Sequence, residues 1–517
     1  MTHPFFPFRR PRRPGQLLVP AALVLGMLLG PVACTDLHRA SSTEQVEADA
    51  SILDITYASG DSAAAVTKNL TLPTKGTWSG CAVTWTSSLP SVVSPAGVVR
   101  RPPYGADKQV TLTATLAQEA STQTRTFTVT VKQVPYIQFI HVSDLHFGDA
   151  LAAAAAFQGA STTVDALDVN TAMRDAVNTL STATAPSDYG VGAGTVFGSF
   201  DFMANTGDMA SRTQSGSYNG NTAAQSWAQF TKVWLEGVTL KDNNGNALPQ
   251  HLTPGNHDVA NALGGPETLI GGIDPTALAG IYNLGMNPAT PVTNATFDYN
   301  QHKVFFTKVY GGVHFVFLNQ WLDAEMQEKL AAYLSGVGTS TPVMLFAHMP
   351  PEQNGANFRD PSTTGVDFPF GAGFANLFRD PMSASNIVAP ATTITTATVP
   401  TKEVADLAAF LKARKNVIAW FNGHDNFTQY RTWNGENSVL INNSMTQLSI
   451  PVFRCDSPVK GKDSGKDAKK LAFNVVTIDP AKKEFTVREC LWNKSNTKGA
   501  AVAWGQTQTF SLANRVR

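Results

Sequence analysis

Polar residues able to bind metal ions follow apolar runs at five separate points of this chain. The motifs are Asp144-Leu145-His146, Gly207-Asp208, Asn256-His257-Asp258, His348 and Gly423-His424. Each apolar run is typical of a buried β-strand, and amphipathic segments between the runs indicate helices. Strands that alternate with helices predict a layered α/β domain, in which sites lie at the carboxyl ends of strands. We therefore expect the five motifs to meet at one edge of a sheet.

The boundaries of these elements follow from the periodicity of the apolar residues. The predicted strands are 136–143, 202–206, 314–318, 343–347, 417–421, 439–442, 473–478 and 485–490, and the predicted helices are 169–180, 322–334 and 404–413. Two connections, 209–250 and about 353–400, are rich in small and polar residues and longer than ordinary loops. We expect these two inserts to cover the site.

The segment around Asn256 combines three kinds of polar side chain behind a Pro254-Gly255 turn. Asn256 offers a neutral oxygen ligand, and His257 can move protons or stabilise developing charge. Asp258 can orient that histidine. The alternative is an ordinary polar turn ahead of a helix.

The other motifs supply carboxylates and imidazoles. Asp144 and His146 are two residues apart, so on a strand end their side chains would point the same way. Asp208 follows Gly207, whose missing side chain permits close approach to whatever the carboxylate binds. His348 and His424 add imidazoles, and such a ligand set suits manganese, zinc or iron. By contrast, His141 has the opposite strand parity to Asp144, so it and His314 are predicted to pack in the core.

Taken in order, Asp-Leu-His, Gly-Asp, Gly-Asn-His-Asp, His and Gly-His resemble the calcineurin-like metallophosphoesterase family over about residues 140–445. The resemblance implies an α/β/β/α sandwich that hydrolyses phosphate esters with two divalent metal ions, Mn, Fe or Zn. By this resemblance Asp144 and His146 bind the first metal, Asp208 bridges both, and Asn256, His348 and His424 bind the second. A hydroxide that bridges the metals attacks phosphorus. His257 stabilises the transition state or protonates the leaving oxygen, oriented by Asp208 or Asp258.

One position departs from the family pattern. The family usually has a second histidine two residues after the position of His424, as a ligand of the first metal, and this chain has Asn426 there. An amide oxygen is a poorer donor than imidazole, so the first metal would bind more loosely or be a harder ion. Asp144, His146 and Asp208 would still provide three ligands.

The N-terminus resembles a bacterial export signal. Arginines at 9, 10, 12 and 13 precede an apolar run over 17–29, and Cys34 follows small residues as in a lipoprotein signal. We predict a signal peptide over 1–33, a lipid anchor on Cys34 and a tether over 34–49. The alternative is a soluble secreted protein cleaved near Ala33.

Residues 50–134 show strict period-two alternation, which predicts a small β-sandwich. The predicted strands are 82–86, 110–115 and 125–131, and the segment around Trp85 resembles bacterial immunoglobulin-like modules. Trp85 would then be the core tryptophan rather than a carbohydrate-binding residue. The predicted metallophosphoesterase domain spans 135–450, and strands over 451–517 either complete its sheet or form a small appendage.

Composition limits the partners. Lys plus Arg and Asp plus Glu are equal at 39 each, so no overall field favours nucleic acid. The basic run Lys460–Lys470 also contains aspartates and glycines, and is predicted to be a solvated loop rather than a phosphate-binding patch. Cys455 and Cys490 either form a disulfide or remain buried thiols.

The fold class expected is therefore multidomain, with an Ig-like β-sandwich followed by the layered α/β domain. The function expected is that of an exported metal-dependent phosphoesterase acting on phosphomonoesters or phosphodiesters. A surface-anchored adhesion protein with a catalytically weakened phosphoesterase-like domain is the alternative, motivated by Asn426 and the Ig-like module. A nuclease is disfavoured because no aromatic and basic groove is visible.

Overall fold

The structure is a computed structural model that describes residues 40–102, 104, 106–212, 219–263, 269–352, 401–435, 438–440 and 449–513. The predicted signal peptide, Cys34 and the insert at 353–400 lie outside these residues. Within the described part of the chain, no helix is long and apolar enough to cross a membrane.

The N-terminal domain is built on one antiparallel sheet in the order β1-β2-β3. Its strands are Ala82–Ser87 (β1), Lys108–Gln118 (β2) and Ser121–Val131 (β3). Alternate residues of β2 are buried, as the period-two pattern predicts. Segments from 53 to 99 pack on this buried face and pair through single bridges rather than long strands. Trp85 lies in this core, as predicted, and its indole N–H donates to the carbonyl of Pro73 at 2.7 Å.

The tether predicted over 34–49 is wrong for its second half, because helix α1 spans Ser42–Ile52. Ser41 and Glu44 form a capping box that satisfies backbone N–H groups at the start of the helix. Val46 is fully buried in the core of the N-terminal domain. The Asp49 carboxylate accepts hydrogen bonds from the backbone of Trp78 and Ser79, so the helix belongs to the domain.

The α/β domain contains the remaining elements. Its strands are Ile137–Val142 (β4), Ala150–Leu151 (β5), Val164–Asp165 (β6), Phe202–Asn205 (β7), Gln250–Leu252 (β8), Phe306–Tyr310 (β9), Val313–Phe317 (β10), Val343–Phe346 (β11), Val417–Asn422 (β12), Gln429–Trp433 (β13), Ser438–Leu440 (β14), Ile450–Arg454 (β15), Ala472–Asp479 (β16), Glu484–Leu491 (β17) and Ala503–Ser511 (β18). Its helices are Ala166–Thr179 (α2), Ala223–Phe230 (α3), Asn256–Leu263 (α4), Thr276–Met286 (α5), Ala324–Leu334 (α6) and Thr401–Lys412 (α7).

Two mixed sheets organise this domain. One has six strands in the order β18-β17-β16-β4-β7-β8, and the other has seven in the order β14-β13-β15-β12-β11-β10-β9. Strands β4, β7 and β8 are parallel, as are β10, β11, β12 and β15. Strand β16 pairs with β4, so the C-terminal strands complete the first sheet instead of forming an appendage.

Phenylalanines from both sheets fill the space between them. The Phe139 ring stacks on Phe202 of the same sheet at 4.7 Å between centroids. It also meets Phe346 and Phe421 of the other sheet edge-on, at 5.6 and 5.4 Å. These interlocked aromatic contacts hold the strand ends of the two sheets at fixed positions relative to each other.

Helices cover the outer faces. Helices α6 and α7 bury Met326, Leu330 and Leu407 against the second sheet. Helix α2 contributes Val169 and Met173 to the buried cluster that includes the first sheet. The layered arrangement predicted from the alternation of strands and helices is therefore present.

The insert at 209–250 is more regular than expected. A capping box formed by Thr222 and Gln225 begins α3, and Phe230 and Trp234 enter the core. The cysteines also differ from one of the two alternatives, because Cys455 and Cys490 are buried free thiols.

Candidate metal centre

The five motifs meet at the carboxyl ends of β4, β7, β8, β11 and β12. The residues follow these strands and do not lie on them: Asn256, His257 and Asp258 begin helix α4, and the others lie in loops. The parity explanation for Asp144 and His146 is therefore wrong, because β4 ends at Val142. Instead, the loops after β4 and β7 run side by side: the N–H of His146 donates to the carbonyl of Asp208 at 3.0 Å.

Unusual backbone conformations aim the side chains into the centre. Positive φ angles occur at Asp144 (55°), His146 (46°), Asp208 (55°), His424 (74°) and Asn426 (58°). A non-glycine residue in this region costs about 1–3 kcal/mol, and such strain concentrates at functional sites. The surrounding packing must hold these conformations, which is consistent with a site formed at the expense of stability.

Asp208 occupies the middle of the centre. Its Oδ2 lies 3.4 Å from Nε2 of His348, 3.7 Å from Nε2 of His146 and 3.9 Å from Nε2 of His257. Its Oδ1 accepts the backbone N–H of His257 at 2.8 Å, which fixes the carboxylate. Two groups of potential ligands, His146 with His257 and Asp144 with His348, both include Asp208. This is the position that a bridging carboxylate requires.

Asp144 and His146 form one side of the centre. Nε2 of His146 lies 3.8 Å from Oδ1 of Asp144, and both side chains are fully buried or nearly so. Within the described residues, neither ring nitrogen of His146 has a hydrogen-bond partner. Buried polar atoms without partners are rare and call for an explanation, and a metal ion bound at this side would supply one.

Asn256, His348 and His424 form the other side. Oδ1 of Asn256 lies 2.8 Å from Nε2 of His348 and 2.9 Å from Nδ1 of His424. Nδ1 of His348 donates to the carbonyl of Thr206 at 2.8 Å, so neutral His348 presents a lone pair to the Asn256 oxygen. Two lone pairs that face each other need a proton or a cation between them. The nitrogen and oxygen atoms at this side therefore fit a metal ion.

Charges in the centre point to the same conclusion. Burial lowers the pKa of His348, but the adjacent Asp208 carboxylate outweighs it and raises the value to about 9. The nearby carboxylates thus favour a positive charge on the His348 ring. A bound cation would supply that charge in place of the proton. Burial and the neighbouring His348 lower the pKa of His424 to about 4, which keeps its imidazole in the neutral form that binds metals.

The region of His424 and Asn426 connects the two sides. The backbone N–H of His424 donates to both carboxylate oxygens of Asp144, at 3.1 and 3.0 Å. The Asn426 amide donates to the carbonyl of His424 at 3.1 Å. Its Oδ1 is buried and, among the described residues, accepts no hydrogen bond. The ligand role predicted for Asn426 would occupy this oxygen.

His257 differs from the other histidines in its hydrogen bonding. Its Nδ1 accepts the backbone N–H of Arg212 at 2.8 Å, so the neutral ring carries its hydrogen on Nε2. Burial, with the nearby Lys460 charge, lowers the pKa of His257 well below its usual value and keeps the ring neutral. Its Nε2 lies 3.9 Å from Oδ2 of Asp208, and His257 forms with His146 and Asp208 a group that could hold a metal ion. In this tautomer, however, Nε2 carries the hydrogen and is a donor.

Asp258 does not have the catalytic position predicted for it. Its Oδ2 accepts backbone N–H groups of Asp208 and Gly255, both at 2.9 Å, and its Oδ1 accepts that of Ala210 at 3.1 Å. The carboxylate therefore binds the loop after β7 to the start of α4. It positions Asp208 and does not face the reacting centre.

Glycines permit the close approach of these loops. A Cβ on Gly423 would lie 2.0 Å from Oδ2 of Asp144, and one on Gly255 would lie 2.1 Å from Oδ1 of Asp208. A Cβ on Gly207 would lie 2.6 Å from the ring of His348. Gly207 therefore makes room for a ligand side chain, not for the bound group as the sequence analysis proposed.

Lys460 lies near the centre, although the sequence predicted that it belongs to a solvated loop. Its ammonium pairs with Asp149 at 2.9 Å and donates to Ser211 at 3.2 Å, close enough to His257 to affect that ring. The same loop is fixed to the centre because Ser457 donates to the carbonyl of Asp144 at 2.7 Å. Nothing in the local sequence marks Lys460, since its neighbour Lys462 is exposed as predicted.

Comparison with known proteins identifies the first domain. Residues 46–134 match the family model of the atrophied bacterial Ig domain. The Ig-like prediction is thereby confirmed, and the match begins within α1 rather than at residue 50.

The similarity of the α/β domain to known proteins is weaker. A dimetal phosphatase from Danio rerio is a structural neighbour at 10% sequence identity and a TM-score of 0.36, over 74% of this chain and 100% of that chain. No curated protein matches the sequence. At this TM-score the similarity supports no conclusion about chemistry, so the function must be inferred from the residues of the centre.

Proposed function

We propose that this protein is a metal-dependent phosphoesterase with a dinuclear centre. The observation that supports it most strongly is the central position of Asp208, which belongs to both groups of potential ligands, one with His146 and His257 and the other with Asp144 and His348. In this proposal Asp144, His146 and Asp208 hold the first metal together with Asn426. Asp208 would be shared with the second metal, which Asn256, His348 and His424 would hold.

The metals supply the chemistry that side chains lack. Two divalent cations would neutralise a phosphate group and lower the pKa of a water molecule that serves as nucleophile. Mixed carboxylate, imidazole and amide ligands fit Mn, Fe or Zn. The buried atoms of His146 and Asn426 that lack partners are consistent with such ligands.

His257 has a distinct role in this proposal. Its Nε2–H is directed by the hydrogen bond that Nδ1 accepts from Arg212. A fixed donor in a buried site stabilises charge that develops on a phosphate oxygen. Since the ring is neutral, it acts by hydrogen bonding and does not need to deliver a proton. Lys460 adds a nearby positive charge that favours an anionic substrate.

Export and lipid anchoring form a separate part of the proposal. The Ig domain at residues 46–134 is consistent with a location outside the cytoplasm. Metabolic labelling with a radioactive fatty acid tests the anchor: the label should enter the wild type and be absent from Cys34→Ala. Equal labelling of the two proteins would show that Cys34 is not the attachment site.

The alternative is a surface-anchored binding protein whose catalytic centre is weakened. Asn426, in place of the histidine expected from the family resemblance, supports it. Turnover assays on a chromogenic phosphomonoester and a phosphodiester, with manganese, zinc or iron added, separate the two. Turnover that is lost in Asp208→Ala and kept in the surface variant Asp175→Ala supports the phosphoesterase. Absence of turnover in both the wild type and Asn426→His would support the binding protein.

A further inference from the structure

Two buried arginines lie beside the metal centre and are not used by the proposed reaction. Arg431 on β13 and Arg454 at the end of β15 are 1% and 5% exposed. Arg454 is the register partner of Gln429, so Arg431, two residues further along β13, has its side chain on the same face of the sheet. The two guanidinium groups are therefore diagonal neighbours on adjacent strands.

The pair adjoins the metal centre. Arg454 is also the register partner of Asn422, two residues before His424. Its Nη2 pairs with Asp425, the residue after His424, at 2.6 Å. Burial and the neighbouring Arg431 charge lower the pKa of Arg454 to about 10, as expected for two cations held together away from water.

Several donors of this pair have no acceptor. Nε of Arg431 pairs with Glu352 at 2.6 Å, and Nη1 of Arg454 donates to Gln429 at 3.0 Å. Among the described residues, no acceptor lies within hydrogen-bond distance of Nη1 and Nη2 of Arg431 or of Nε of Arg454, and these atoms are buried. Buried charged donors left unpaired are costly, so an anion bound here would stabilise the protein.

The surrounding residues define the anion more closely. Lys462 and Arg454 lie on the ring of Phe427, at 4.7 and 4.4 Å from its centre. The carboxylates of Asp425 and Glu352 face these cations, and the Asp144 charge also acts on Arg454. Oε2 of Glu352 is also buried and, within the described chain, accepts no hydrogen bond. A ligand oxygen that carries a hydrogen would satisfy it.

We propose that Arg431 and Arg454 form a binding pocket for a second phosphate group of the substrate. A singly protonated phosphate accepts from both guanidinium groups and can donate to Glu352, whereas a carboxylate has no hydrogen to donate. The substrate class is then a phosphoester that carries a second phosphate. This inference rests on the proposed phosphoesterase function for its role in the reaction, but not for the binding itself.

Binding is tested on the metal-free protein, in chelator, with inorganic phosphate as the titrant. Without metals the cations left at the centre are His348 and Lys460, so a loss of binding in the arginine variants assigns the calorimetric signal to the arginine pocket. We expect one phosphate per chain, with binding weakened about 10–100-fold in Arg431→Met and in Arg454→Met. Arg431→Lys should restore part of the affinity, and Arg174→Met, an ion-paired arginine on α2, should bind as the wild type does.

Three results would overturn the pocket: no binding by the wild type, equal binding by Arg431→Met, or acetate binding as tight as phosphate. Thermal unfolding of each variant establishes that it is folded. A second arm uses the metal-loaded enzyme on a simple phosphomonoester and on an ester with two phosphates. Arg431→Met should reduce kcat/KM about tenfold or more for the second substrate only. Phosphate binding without any hydrolysis would leave the pocket standing and refute the phosphoesterase, and hydrolysis without pocket binding would do the reverse.

Discussion

Nε2 of His348 lies 3.4 Å from Oδ2 of Asp208, at the point where two sets of potential metal ligands share one carboxylate. Because both sets depend on this oxygen, Asp208→Asn should lower the metal content of the protein from two ions to one or none. Turnover should fall at least about 100-fold. Elemental analysis and a phosphoester assay measure the two effects. Asp175→Asn, on the surface of α2, is the control.

The hydrogen-bond pattern of His257 predicts a variant that separates binding from chemistry. His257→Asn should retain both metals, because Nε2 is a donor in the wild type, while turnover falls about 10²–10⁴-fold. Metal content is compared with that of His302→Asn, a histidine outside the centre. A variant that loses a metal along with activity would instead make His257 a ligand.

Asn426 is the position at which this chain departs from the family that it resembles. Asn426→His replaces a buried amide oxygen with imidazole, a stronger donor for zinc or manganese. We expect the first metal to bind about tenfold more tightly, equivalent to ~1.4 kcal/mol. Competition with a chelator of known affinity measures the change. Unchanged affinity would place Asn426 outside the coordination sphere.

The contact between the domains predicts a pH effect on stability. The Asp201 carboxylate accepts hydrogen bonds from the Tyr104 hydroxyl and, at 2.8 Å, from the backbone N–H of Gln138. Burial raises the pKa of Asp201 from 3.8 to about 6, so the folded protein binds a proton more readily than the unfolded chain. The stability this proton contributes is complete below pH 3.8 and is lost as the pH rises through about 6.

Because the pKa of Asp201 rises from 3.8 to about 6 on folding, the free energy of unfolding changes by about 3 kcal/mol at most. Thermal unfolding between pH 5 and pH 7 measures it. The wild type should lose stability over this range relative to Asp201→Asn, which cannot titrate. Parallel curves for the two proteins would contradict the assignment.

The local sequence was sufficient for most of the elements and for the identity of the centre's residues. Apolar runs ending in His, Asp or Asn marked five strand ends, because a buried strand and a polar loop differ sharply in composition. The capping box at Ser41 is also recognisable in the sequence as the start of a helix. It predicts α1 where a tether was expected. Similarly, the box at Thr222 marked a helix inside a supposedly irregular insert.

What the sequence by itself determined is the set of candidate ligands and the layered fold, since both depend on short-range patterns of polarity. The tertiary structure decided which contacts each of those residues makes. The Asp258 carboxylate accepts hydrogen bonds from three backbone N–H groups instead of orienting His257. The backbone N–H of Arg212 fixes the tautomer of His257. Lys460 comes close to His257, and Arg431 and Arg454 lie beside the centre, although all three are distant from its residues in the sequence. Such placements depend on which strands become neighbours, and no local pattern records that.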